Sequence, residues 1–143
     1  MKAKAKARPA VTRKKILIVD DDPQIRKLYS LLLRDAGYEV EEVEHAFAAV
    51  ATVVRTAPDL ILADIRMPVI DGMALVKELK SHADSRHIPI VAITGYDSPE
   101  VRDAALAAGY DGYLAKPVEP HRLLAQIVVL LHSERADRPQ SAV

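Results

Sequence analysis

Apolar residues in this chain fall into short solid runs and helical stripes, and the two alternate. Ile16–Val19 is a continuous apolar run, the pattern of a parallel strand buried on both faces. Asp22-Pro23 follows, an N-cap with proline in the first turn. The helix it opens carries Ile25, Leu28, Tyr29 and Leu32 on one face, with Gly37 as its C-terminal stop. Glu39–Val43 alternates only weakly and is rich in glutamate, which predicts an edge strand. Ala46–Arg55 reads as a helix and Asp59–Ala63 as a third strand, closed by Asp64. R-M-P-V-I-D-G then forms a loop broken by Pro68 and Gly72. Met73–Leu79 predicts a helix and Ile88–Thr94 a strand. Ser98 or Pro99 opens a helix with Val101, Ala104, Ala105 and Ala108 on one face, ending at Gly109. Tyr110–Ala115 is the last strand. Glu119–Leu131 is the last helix, with Leu123, Leu124, Ile127 and Leu131 as its stripe.

Five β-α units in strict alternation predict an α/β domain with a parallel sheet covered by helices on both faces. The 143 residues suit one domain, set at residues 14–132. Residues 1–13 are expected to be a basic disordered tail and residues 133–143 a polar disordered tail. The net charge of zero conceals a division. Residues 1–15 hold seven lysines and arginines and no acid, which leaves 13 basic against 20 acidic side chains in residues 16–143. An acidic domain is a poor nucleic-acid binder by bulk electrostatics. The leader is expected to act as a solubilising segment or as a weak contact for an acidic partner. There is no cysteine, so neither a disulfide framework nor a thiolate metal site is available. That fits a reducing cytoplasm, the expected location. No run approaches the roughly 20 apolar residues of a membrane span.

The chemistry gathers where ligands bind in open parallel sheets, beyond the carboxyl ends of the strands. Asp20, Asp21 and Asp22 follow the first strand, Asp64 the third, Thr94-Gly95 the fourth and Lys116-Pro117 the fifth. Clustered carboxylates are costly unless a cation sits among them. Hard carboxylates in a partly open site suit Mg²⁺, which also shares oxygens with phosphate. With the carboxylate charge offset, an anionic phosphoryl donor can approach a carboxylate nucleophile, and phosphorylation of Asp64 would give an acyl phosphate. A lysine and a hydroxyl would stabilise the added charge.

The segments I-L-I-V-D-D-D-P, L-I-L-A-D-I-R-M-P-V-I-D-G, I-V-A-I-T-G-Y and G-Y-D-G-Y-L-A-K-P-V, in this order and spacing, resemble the receiver domain of bacterial two-component response regulators over residues 14–132. The resemblance implies a doubly wound, flavodoxin-like sheet of strand order 2-1-3-4-5. It implies that Asp64 accepts a phosphoryl group from a histidine kinase. Asp20, Asp21, Asp64 and the backbone carbonyl of Arg66 would hold Mg²⁺. Thr94 and Lys116 would contact the phosphoryl group, Tyr113 would turn inward as Thr94 moves, and the Lys116–Pro117 bond would be cis. The chain would then be a stand-alone switch, not a turnover enzyme, with no dedicated DNA-binding domain. Its signal would pass to a downstream protein through the fourth helix, fifth strand and fifth helix, with dimerisation on activation left open.

Other residues have plainer readings. Asp22 reads as an N-cap, Asp71 as a turn or helix-start residue, and Asp59 as the start of a strand. The five histidines lack ligand spacing and read as surface or structural. Arg66 and Tyr96 lie two residues beyond Asp64 and Thr94. They are expected to border the phosphoryl group and set its lifetime by limiting access of water. The alanine-rich fourth helix is expected to bury least, and Val129 to point away from its helix's stripe. Three alternatives stay open: a receiver fragment of a hybrid kinase, one of a DNA-binding regulator, and, remotely, a haloacid-dehalogenase-type phosphatase. The last is suggested by the D-x-D in Asp20–Asp22 but opposed by Gln24. Five scattered glycines exclude a G-x-G-x-x-G loop and a P-loop.

Overall fold

The computed structural model describes residues 13–66 and 71–141, with side chains to His132. Residues 1–12 of the expected leader, residues 67–70 of the loop and the final residues 142–143 lie outside the described residues. Five strands, β1 (Lys15–Val19), β2 (Glu39–Val43), β3 (Leu60–Asp64), β4 (Ile90–Thr94) and β5 (Gly112–Ala115), form one parallel sheet of order β2-β1-β3-β4-β5. The helices between and after them are α1 (Pro23–Asp35), α2 (Ala46–Thr56), α3 (Gly72–Lys80), α4 (Pro99–Ala108) and α5 (Pro120–Ser141). The architecture and strand order are those expected, and β2 is an edge.

Because side chains alternate along a strand, the solid apolar runs feed two cores at once. Leu17, Val19, Ile61, Ala63, Ile90 and Ala92 face the side covered by α2, α3 and α4. Ile16, Ile18, Leu60, Leu62, Val91 and Ile93 face the side covered by α1 and α5. β1, β3 and β4 lie inside the sheet, and every residue of β3 and β4 is buried.

Local signals place the helix starts. Asp22, Asp71 and Ser98 each cap a helix by accepting backbone N–H groups, and Asp59 accepts the Lys15 N–H at 2.8 Å. His45 also proves structural: its ring nitrogen accepts the Ala48 N–H at the start of α2. Gly37 and Gly109 take the positive φ that favours glycine at helix ends.

Several details differ from the sequence expectation. In α1, Leu33 is buried with Tyr29 while Leu28 is exposed, so the buried face is rotated from the expected stripe. β4 begins at Ile90, not Ile88, because Pro89 has no N–H to offer a ladder. β5 begins at Gly112, since Tyr110 and Asp111 are used in the turn from α4, where Tyr110 N–H bonds the Ala105 carbonyl. β3 ends one residue later than expected and includes Asp64, which places that carboxylate on a fixed ladder position opposite Ile93. The last helix continues to Ser141, past Leu131 where its apolar stripe stops, so the backbone of residues 133–141 is helical where a disordered tail is expected.

Candidate functional site

At the carboxyl edge of the sheet, β1 and β3 are hydrogen-bonded neighbours. Their ends therefore bring Asp20, Asp21 and Asp64 together, with one carboxylate oxygen from each lying within 4.8 Å of the others. Asp20 and Asp64 are buried and Asp21 is exposed, so the group opens to solvent on one side. Lys116 reaches in from the end of β5. Its Nζ lies 3.1 Å from Asp20 Oδ2 and 3.3 Å from Asp64 Oδ2. The Lys116–Pro117 bond that follows is cis, as the resemblance implies.

The electrostatics are those of crowded carboxylates sharing too few cations. Burial pushes the Asp64 carboxyl above the usual range, and the Asp20 charge adds to this. Lys116 and the Arg66 N–H, which donates to Asp64 Oδ1 at 3.1 Å, oppose the shift without cancelling it. Burial lowers the Lys116 pKa, but hydrogen bonds to Asp20 and Asp64 and their charges outweigh it, leaving the ammonium firmly protonated. The donor set is therefore all oxygen, partly open and short of positive charge, which fits a divalent hard cation.

Thr94 ends β4 fully buried, and its Oγ1 accepts the Tyr96 N–H at 3.0 Å. The Thr94 carbonyl accepts the Lys116 N–H at 2.8 Å, which fixes the ends of β4 and β5 to each other. Tyr113, on edge strand β5, is half-exposed. Its hydroxyl donates to Asp97 Oδ1 at 3.1 Å, and the Arg102 guanidinium lies 5.3 Å from its ring centroid and 3.6 Å from the same carboxylate. Arg66 and Tyr96, two loop residues from different strands, meet: the Arg66 guanidinium carbon sits 4.1 Å from the Tyr96 ring centroid.

Some residues that matter here are not among the site residues that the sequence singles out. Arg26 of α1 donates to the Asp20 backbone carbonyl at 2.7 Å and pairs with Glu42, which pins the loop after β1. Gly72 closes the loop after β3. Its N–H donates to the Ile65 carbonyl at 2.7 Å, and its own carbonyl accepts the buried Tyr110 hydroxyl at 2.8 Å. A Cβ at Gly72 would lie 2.6 Å from that hydroxyl and 2.7 Å from the Asp64 carbonyl oxygen, so the close approach itself requires glycine. Sequence reading treats Gly72 only as a breaker and gives Asp97 and Arg102 no role. Each acts on a residue far along the chain, so no local pattern marks it.

Residues 16–128 match the response regulator receiver domain. The chain belongs to that family. It is 38% identical over 109 residues to an uncharacterised 14.6 kDa protein of Leptolyngbya boryana, covering 76% of this chain and 83% of that one. It is 35% identical over 129 residues to the DNA-binding dual master transcriptional regulator RpaA of a Synechocystis strain. That match covers 90% of this chain but only 53% of the regulator, so the chain spans about half its length. Among solved structures it resembles the receiver domain of the sensor histidine kinase PA1611 of Pseudomonas aeruginosa PAO1, at 32% identity and a TM-score of 0.79. The match covers 85% of this chain and 99% of that one, and a magnesium ion is coordinated in that protein's active-site cleft. Receivers take phosphoryl groups from histidine kinases and bind Mg²⁺ in their acidic cluster. Among the described residues no helix is long and apolar enough to cross a membrane.

Proposed function

We propose that this receiver is a phosphorylation-activated switch with Asp64 as the phosphoacceptor. The observation that carries it is the Lys116 ammonium seated between the Asp20 and Asp64 carboxylates, with Asp21 completing a three-carboxylate group. Asp20, Asp21, Asp64 and the Arg66 backbone carbonyl would hold Mg²⁺, which would screen the carboxylates and the incoming phosphate from each other.

The residues divide the reaction. An Asp64 oxygen attacks phosphorus as the bond from phosphorus to the kinase's histidine nitrogen breaks, and the imidazole leaves with the electron pair. Lys116, already held protonated at the Asp64 oxygen, stabilises the transferred group's charge, and the Thr94 hydroxyl donates to a phosphoryl oxygen. For that donation Thr94 must move toward the phosphoryl group. Tyr113 then leaves Asp97 and turns inward, changing the face made by α4, β5 and α5, where a downstream protein would read the state. Arg66 stacked on Tyr96 covers the site's approach and slows attack by water.

The test is Mg²⁺-dependent labelling by a small acyl phosphate. Asp64→Asn abolishes it, and persistent labelling overturns the assignment. Substituting both Arg66 and Tyr96 by alanine speeds loss of the label; an unchanged rate rejects their role. A second reading, favoured by the half-length match to the transcriptional regulator and by the likeness to a kinase's receiver, places the same switch within a longer signalling protein.

A further inference from the structure

The chain has one phenylalanine, Phe47, and it is 63% exposed; seven residues on, Val54 is 82% exposed. Both lie on α2, where a spacing of seven returns to the same face, and Ala51 lies exposed between them. This stripe points away from the core, which α2 meets through Ala46, Ala49 and Val53. Along it, between α2 and α3, runs a mainly apolar groove of about 500 Å³, with Phe47 itself at its edge, Val50, Ala51, Ala74 and Leu75 in its walls and Glu78 at its rim. None of these residues contacts the carboxylate group, and the groove lies on α2 and α3, apart from the α4-β5-α5 face of the proposed switch.

We infer that this face binds a second copy of the same chain. A two-fold contact needs one patch that carries both a projection and its receptacle. Here Phe47 is the projection, and the small residues Ala51 and Ala74 leave the adjoining groove open to receive it. Charge selects the arrangement. Glu44 stands exposed before the first turn of α2 and Arg55 in its last turn, held only by an exposed 3.8 Å contact to Glu41. Two α2 helices crossing antiparallel, about a two-fold axis normal to both, set Arg55 of each near the Glu44 end of the other. A parallel crossing would set like charges together. Ala51 near the crossing point lets the helices approach closely.

Sedimentation velocity on the full chain tests the idea at micromolar and near-millimolar concentration. A mass rising toward twice the monomer's is expected, in the unmodified chain and in Asp64→Asn alike, because the contact is independent of phosphorylation. Phe47→Glu weakens association by about 30-fold, as loss of a central aromatic anchor does, without lowering the melting temperature. Arg55→Glu also weakens it, and adding Glu44→Arg to the same chain restores it. A monomer at the highest concentration overturns the inference. So does a dimer that survives Phe47→Glu, a failure of the double exchange to restore association, or capture of a different protein by this face while the chain itself stays monomeric. Loss of phosphorylation with the dimer intact would count against the switch alone.

Discussion

Helices α3 and α4 cover the same side of the sheet and are nearly equal in length, yet they are anchored very differently. α3 buries Gly72, Leu75, Val76 and Leu79, and its start is locked by Gly72 to Ile65 and Tyr110. α4 fully buries only Ala105, with Val101 and Ala108 half-buried; Ala104, expected on its inner face, is exposed. At roughly 25 cal/mol per Å² of apolar surface, a helix held by alanines has far less to lose on shifting. The difference teaches where a receiver can move. Asp64 ends interior strand β3, Asp20 and Asp21 directly follow interior strand β1, and α3 clamps the loop that leaves Asp64. Tyr113, Asp97 and Arg102 sit on edge strand β5, the loop before α4, and α4 itself. On the proposed switch, the chemistry would lie in the stiff half and the response in the loose half.

Truncating each helix's anchor is the strongest way to break this contrast. Leu75→Ala costs about 2–5 kcal/mol by chemical denaturation, a buried leucine's usual cost. Val101→Ala in α4 costs at most about 1 kcal/mol, since only half of a smaller side chain is lost. Equal costs would erase the distinction. Gly72→Ala falls with the larger effects, because the backbone around Asp64 must shift to admit a Cβ.

Mg²⁺ sharpens the comparison next. At a hundredfold excess over its dissociation constant it adds about 2.7 kcal/mol to global stability. Amide exchange should slow most at β1, β3 and the start of α3, and least in α4. The acid side follows from the raised Asp64 pKa. With the folded value above the unfolded one, this group's contribution is fully present below the ordinary carboxylate pKa and is lost as pH rises through the folded value. Without Mg²⁺, Asp64→Asn therefore raises stability at neutral pH and flattens that part of the pH profile. Denaturation midpoints across the acid range measure both.

Smaller effects separate the two tyrosines. Tyr110→Phe removes a buried hydrogen bond to Gly72 and costs about 1 kcal/mol or somewhat more, read as a lower denaturation midpoint. Asp97→Ala removes an exposed partner of Tyr113 and costs only about 0.5 kcal/mol. It frees Tyr113 to turn inward, so phosphorylation by a small donor should quicken severalfold. An unchanged rate would show that Asp97 does not hold Tyr113 outward.

Much of this contrast was legible in the chain. The low burial of α4 follows from V-R-D-A-A-L-A-A, and the exposure of Val129 from its offset to the stripe of α5. Asp20, Asp21, Asp64, Thr94 and Lys116 were legible because each ends an apolar run, and a parallel sheet gathers such ends at one edge. The buried face of α1 differs from the expected stripe because its leucines admit two neighbouring faces, and only the tertiary core, which takes in Leu33 with Leu60 and Leu123, chooses Leu33 over Leu28. Asp97 and Arg102 carry no signal in the sequence, because their significance is a contact with a side chain on β5.

The sequence by itself determined the alternation of strand and helix, the parallel sheet, and which residues stand at the carboxyl ends of its strands. Those are properties of local patterns, repeated at a period that chain geometry imposes. The tertiary structure alone decided which cation sits between which carboxylates, which glycine the loop cannot replace, and that Arg66 lies on Tyr96. It also decided that the one phenylalanine faces outward. These depend on distances between residues far apart in the chain, which exist only once the sheet has brought the strand ends together.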